Sequence, residues 1–179
     1  YTLTLKFYKK GFHFFYQLHR LFLLEMFDNI NRKNTIERSG FKIFIVSNQA
    51  GVGRGIYSQR TLEAITAKML SVVEDAGGKI TKVYYCTHRK EAGCSCRKPK
   101  PGMLKSAAKE FGFTLKGAYF IGDTIRDIQT AKNAGCKPIL VLSGKEKIKD
   151  KNGRGDLNLP YHQVFKGLKE AVNFIIRKI

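Results

Sequence analysis

Three cysteines and a histidine crowd into one short stretch, as Cys86-Thr87-His88 followed by Cys94-Ser95-Cys96. Thiolate sulfur and imidazole nitrogen are ligands of tetrahedral zinc, and four of them close its coordination sphere. The spacing therefore predicts a structural Zn2+ that pins a loop with no core of its own. The competing reading is four unrelated residues in a turn, which so dense a cluster argues against. The remaining cysteine, Cys136, follows a helix-ending glycine and reads as a small buried hydrophobe.

Three further segments could carry chemistry. Gly122-Asp123-Thr124-Ile125-Arg126-Asp127 lies between a strand signal and a helix signal. A carboxylate at a strand's carboxyl end can hold Mg2+ through oxygen. Asp127, one turn further on, can orient Asp123 or a neighbouring cation. The alternative is that Asp123 is only a helix N-cap. Arg97-Lys98-Pro99-Lys100-Pro101-Gly102-Met103 follows the last zinc ligand and joins cations to a helix start, an anion site by charge and by backbone N–H groups. Its alternative is a solvated basic turn. Ser47-Asn48-Gln49-Ala50-Gly51-Val52-Gly53-Arg54-Gly55 offers a hydroxyl and exposed amides that can cradle phosphate, although glycine-rich loops are common.

The elements that must position these groups alternate from residue 40 onward. Phe41–Val46, Ile80–Tyr85, Ala118–Ile121 and Pro138–Leu142 read as strands. Helices are expected from the Ser58 cap to Ala76, from Pro101 to Gly112, from Thr124 to Ala134 and from Tyr161 to Lys178. Lys145 to Pro160 reads as a polar loop. Alternating strands and helices predict an α/β fold with a parallel sheet, whose ligands bind beyond the carboxyl ends of the strands. Ser47, Cys86, Asp123 and Ser143 fall at those ends. Residues 1–39 fit less well, and Leu18–Met26 suits a strand or a helix equally. The expected organisation is a single domain over 1–179: an atypical 1–39, a motif-bearing core at 40–145, and a loop and terminal helix at 146–179.

The charge, +19 from 33 Lys and Arg against 14 Asp and Glu, suggests a nucleic-acid or anionic-surface binder. Its distribution argues otherwise. The net charge is +5 over residues 1–50, +6 over 51–100, +4 over 101–150 and +4 over 151–179, so no tail concentrates it. Lysine dominates, whereas base readout leans on arginine forks. No stretch has the length and apolarity of a membrane span. Metal-type cysteine spacing predicts a reducing cytoplasm, and the chain is expected to act as a monomer.

In this order the four segments resemble the haloacid dehalogenase-like phosphatases. Within them they are most similar to the branch holding the heptose-bisphosphate and histidinol-phosphate phosphatases, over about residues 40–145. Ser47-Asn48-Gln49-Ala50-Gly51 resembles that branch's TNQSG phosphate loop, and Cys86, His88, Cys94 and Cys96 its zinc loop. The resemblance implies a Rossmann-like three-layer sandwich with a mostly parallel central sheet, a zinc-bound loop and no large cap domain. It implies that Ser47 and Lys98 stabilise a transferring phosphoryl group. Asn48, Gln49, Ala50, Arg54 and Arg97 would join them around the substrate. Asp123 would hold catalytic Mg2+ with Asp127 in support. The implied activity is phosphomonoester hydrolysis of a small phosphorylated metabolite. Arg54 and Pro101-Gly102-Met103 look more like the heptose enzymes, which remove the 7-phosphate of D-glycero-D-manno-heptose 1,7-bisphosphate in lipopolysaccharide-precursor synthesis. Alternatives are histidinol-phosphate hydrolysis, a catalytically dead zinc-stabilised phosphate binder, and a nucleic-acid 3′-end phosphatase, some of which carry a similar NQxGxGRG segment.

One expected part is missing. The family's first strand ends in an Asp-x-Asp pair, the first a nucleophile and the second a general acid and base. Before Ser47 this chain has only Glu25, Asp28 and Glu37. Glu25 lies too close to Ser47 for a strand–helix–strand crossover, so Glu25 and Asp28 are expected on a packing helix. Either that first strand is lost from the sequence, or the protein is catalytically dead, or an unusual nucleophile serves.

Overall fold

The computed structural model describes residues 2–5, 41–143 and 163–178. Their strands are β1 (Thr2–Leu5), β2 (Lys42–Asn48), β3 (Lys82–Cys86), β4 (Tyr119–Gly122), β5 (Lys137–Val141) and β6 (Gln163–Phe165). All pair in parallel in one sheet of order β3-β2-β1-β4-β5-β6. The chain steps outward from β1 through β2 to β3, then crosses to β4 and steps outward the other way. The reversal, between β1 and β4, is the switch point where sheets of this kind bind ligands.

Both faces of the sheet are apolar, as a parallel sheet covered on both sides requires. Ile43 and Ile45 of β2 share one cluster with Ile121, Ile139, Val141, Val73 of α2 (Gln59–Asp75) and Leu168, Val172 and Ile175 of α5 (Leu168–Ile176). The alternate residue Val46 faces the other way with Phe120, joining Met103 and Leu104 of α3 (Gly102–Phe111) and Ala131 of α4 (Ile125–Ala134). Phe44, fully buried, meets Phe111 edge-on at 5.0 Å and stacks on Phe113 at 5.3 Å. Burying such a side chain contributes roughly 1.5–3 kcal/mol. The result is the three-layer α/β sandwich expected.

Several expectations need correction. Residues 2–5, to which the sequence reading gave no element, form the central strand, held on both sides by β2 and β4. The place of the first strand is therefore filled. Leu18–Met26, Glu25, Asp28 and the 145–160 loop lie outside the described residues. The expected helix over 161–178 is in part a strand: Gln163–Phe165 extends the sheet edge beside β5, and α5 starts only at Leu168. Glycine-rich 47–55 is not all loop, because Ala50–Gly53 closes one helical turn, α1. Thr124, not Asp123, caps α4: its hydroxyl accepts from the Asp127 N–H while the Asp127 carboxylate accepts from the Thr124 N–H.

Candidate functional site

The chemistry-bearing residues collect at the carboxyl ends of β2, β3 and β4. Ser47 and Asn48 end β2 and pair with Tyr85 and Cys86 of β3. Asp123 directly follows β4. The loop from Cys86 to Lys100 folds back over this edge and is fastened at several points. The Gln49 N–H donates to the Cys86 carbonyl at 2.7 Å, and the Gly53 N–H to the Thr87 carbonyl at 3.1 Å. The Arg89 guanidinium donates to the Gly53 carbonyl. A Cβ at Gly53 would stand 2.4 Å from the Thr87 carbonyl oxygen, so only glycine lets the two loops approach this closely.

Lys98 sits at the convergence. Only 2% exposed, it reaches inward, its Nζ donating to the Val46 carbonyl at 3.0 Å and lying 3.1 Å from Asp127 Oδ1. Asn48 clamps its backbone, with the Lys98 N–H donating to Oδ1 at 3.1 Å and Nδ2 donating to the Lys98 carbonyl at 3.3 Å. A buried ammonium needs such partners, because desolvation otherwise drives it to the neutral form. Asp127, fully buried, thus joins α4's cap to the lysine. A Cβ at Gly122 would stand 2.3 Å from that of Asp127, so β4 must end in glycine for the carboxylate to take this place.

The structure therefore brings Ser47, Asn48, Lys98 and Asp127 together, with Asp123 at the rim, half-buried. Ala50 is buried in the turn. Arg54 is exposed beyond it. Arg97 is half-buried, its Nη1 donating to the His88 carbonyl at 3.3 Å. Asn48 and Gln49, expected around the substrate, direct their side chains into the protein. Tyr57 is a residue the sequence reading did not single out. Its hydroxyl donates to Gln49 Oε1 at 2.8 Å, across eight residues, a spacing that no local pattern announces.

Cys86, His88, Cys94 and Cys96 bring one ligand atom each within 4.8 Å of all the others. Neighbouring pairs lie 3.3–3.8 Å apart. A tetrahedron with Zn–S bonds of ~2.3 Å has sulfur–sulfur edges of ~3.8 Å, so the cage has zinc's dimensions and donor set. Cys94 and Cys96 also pack against the core cluster around Met103 and Leu104, so the loop has some apolar anchorage after all. Burial raises Cys94, but hydrogen bonds with Cys96 and Cys86 outweigh it and bring that thiol down to about 7. Burial and the neighbouring thiols push Cys96 up to about 12. Metal must displace these protons, so its grip weakens as pH falls. Among the described residues, no other group of three or more His, Cys, Asp or Glu is gathered closely enough to hold a metal ion.

Known proteins place this architecture. A family model described as HAD-hydrolase-like matches residues 95–171. D-glycero-beta-D-manno-heptose-1,7-bisphosphate 7-phosphatase of Neisseria meningitidis serogroup A is 35% identical over 144 residues, 80% of this chain and 76% of that protein. The Pseudomonas aeruginosa protein of the same name is 39% identical over 110 residues, and there the match spans 62% of each. The chain thus covers somewhat under two thirds of some of these relatives. A crystal structure of D,D-heptose 1,7-bisphosphate phosphatase from B. bronchiseptica, complexed with magnesium and phosphate, superposes with a TM-score of 0.77 at 26% identity, covering 99% of both chains. The chain belongs to the HAD-like hydrolases, in the family of the heptose-1,7-bisphosphate 7-phosphatases.

Proposed function

We propose that this chain binds the phosphate of a small sugar bisphosphate at the carboxyl ends of β2 and β4, and that its activity is removal of the 7-phosphate of D-glycero-D-manno-heptose 1,7-bisphosphate. The observation that carries the reading is the buried Lys98, held by Asp127 and by the carbonyl of Val46, the residue before Ser47. A fixed ammonium and a hydroxyl at a sheet's switch point suit a phosphoryl group whose negative charge must be neutralised. In this reading Ser47 and Lys98 contact the phosphoryl oxygens, Arg54 and Arg97 contact the rest of the substrate, and Asp123 with substrate oxygens and water holds Mg2+. The four-ligand Cys/His cage takes Zn2+ and keeps the Lys98 loop in place. Relatives are named for both the beta and the alpha anomer of the heptose, so both belong in the assay.

A second reading, binding without turnover, is favoured by one feature. β1, flanked by the strand that bears Ser47 and the strand that Asp123 follows, carries no carboxylate, and the first acid in the chain is Glu25. Phosphate release from both heptose bisphosphate anomers and from histidinol phosphate, with Mg2+, tests the two together. Release that falls at least about hundredfold in Lys98→Met and Asp123→Asn supports hydrolysis at this site. Calorimetric binding of the bisphosphate without release supports the second reading. Release undiminished in both variants rejects the residue assignment.

A further inference from the structure

Gln49 is 4% exposed and its side chain bridges two hydroxyls. Its Nε2 donates to Ser47 Oγ at 3.1 Å, and its Oε1 accepts from the Tyr57 hydroxyl at 2.8 Å. A primary amide has a donor end and an acceptor end, so the two contacts cannot be set independently. In one arrangement Tyr57 donates to Oε1, Nε2 donates to Ser47, and the serine hydrogen is turned away from Gln49. In the reverse arrangement Ser47 donates to the amide and the amide donates to Tyr57. An anionic oxygen at Ser47 requires a donor there and therefore selects the first.

We propose that Tyr57 and Gln49 are positioning residues that set the Ser47 hydroxyl as a donor to the phosphoryl oxygen. The proposal rests on the reading of Ser47 as a phosphate contact. Tyr57 itself need not touch the ligand. Its place is fixed by Gly51, where any Cβ would stand 2.1 Å from the Tyr57 ring, so the helical turn α1 and the tyrosine are packed as a unit. Burial holds the Tyr57 phenol above its usual range, which keeps it a donor through neutral and mildly alkaline pH. The glycine-rich segment thereby acquires a second task. Besides presenting backbone to the ligand, it carries an internal chain of hydrogen bonds that orients a side chain on the neighbouring strand end.

The test is calorimetric titration of inorganic phosphate, with Mg2+ present, into wild type, Ser47→Ala, Tyr57→Phe and the double variant. Tyr57→Phe removes one oxygen and should leave the fold and the zinc content intact, as melting and elemental analysis would show. The expected result is a loss of affinity of about three- to tenfold in Tyr57→Phe. The double variant should bind no more weakly than Ser47→Ala alone, because without the hydroxyl there is nothing to orient. A merely structural tyrosine would instead lower the melting temperature and add its loss to that of Ser47→Ala. Wild-type affinity in Tyr57→Phe, or additive losses, overturns the relay while leaving Ser47 as a contact. Unchanged affinity in Ser47→Ala overturns the contact and the relay with it.

Discussion

At the residue scale the energetics centre on one buried ion pair. Lys98 and Asp127 are each all but inaccessible, so removing either partner strands a charge out of water. Asp127→Ala is expected to cost about 3–5 kcal/mol, and Lys98→Met a similar amount. Lys98→Met/Asp127→Leu should recover much of that stability by removing both charges. It should not recover phosphate binding. Urea unfolding beside phosphate titration separates the two effects, and a double variant no more stable than the singles would contradict the argument. A second buried group gives a pH dependence. Burial pushes the Cys136 thiol up to about 12. Below the ordinary thiol range, near 8.5, it is protonated in both folded and unfolded chains. Between there and about 12 only the unfolded chain ionises, so stability falls as pH rises. Unfolding at neutral pH and at about pH 10.5 should show a smaller drop for Cys136→Ala than for wild type.

At the scale of elements, the Cys/His loop and the glycine-rich loop are a single assembly. Cys96 of the Cys/His cage stands two residues before Lys98, and the loop meets α1 and the end of β2 through hydrogen bonds of its backbone. Chelation should therefore do more than loosen a surface excursion. The melting temperature is expected to fall by about 4–8 °C, the response of a domain this size to a loss of roughly 2 kcal/mol. Phosphate affinity should fall with it and return on adding zinc. A chelated protein that binds phosphate normally would show that Lys98 is held without the metal. The sequence made much of this scale legible. Ser58 caps α2, and Gly112 and Gly135 end α3 and α4 with positive φ, because capping chemistry is local. The gathering of Cys86, His88, Cys94 and Cys96 was legible because they are close in sequence. β1 was not, since four residues without a turn signal gain strand character only from partners about 40 and 116 positions away. β6 was missed because its three residues adjoin a strong helical pattern. Asp127 was expected to orient Asp123 or a neighbouring cation, and the cation it meets is Lys98; the Asn48 clamp and the Tyr57 relay are contacts of tertiary structure, which spacing along the chain does not encode.

For the whole molecule, the +19 charge and the site are largely separate matters. Lys98 is buried and already paired, whereas exposed residues such as Lys90, Lys105, Lys116 and Lys132 are spread along the chain. Association of duplex DNA with such a surface should fall steeply between about 50 and 200 mM salt. Phosphate binding beside a buried cation should change much less, because buried charges are poorly screened. DNA binding that survives this range would revive a nucleic-acid substrate. The largest consequence of the architecture lies in the placement of β1. On one side the sheet holds β2 and β3, on the other β4, β5 and β6, and β1 is the strand that bridges the two sets. During synthesis it is the first of these strands to leave the ribosome, yet its second neighbour begins only at Tyr119. At about 5–20 residues per second, the earliest-made strand waits several seconds with one edge open. That edge is what a chaperone or a second nascent chain would meet, so the molecule is most vulnerable to mispairing before β4 has been made.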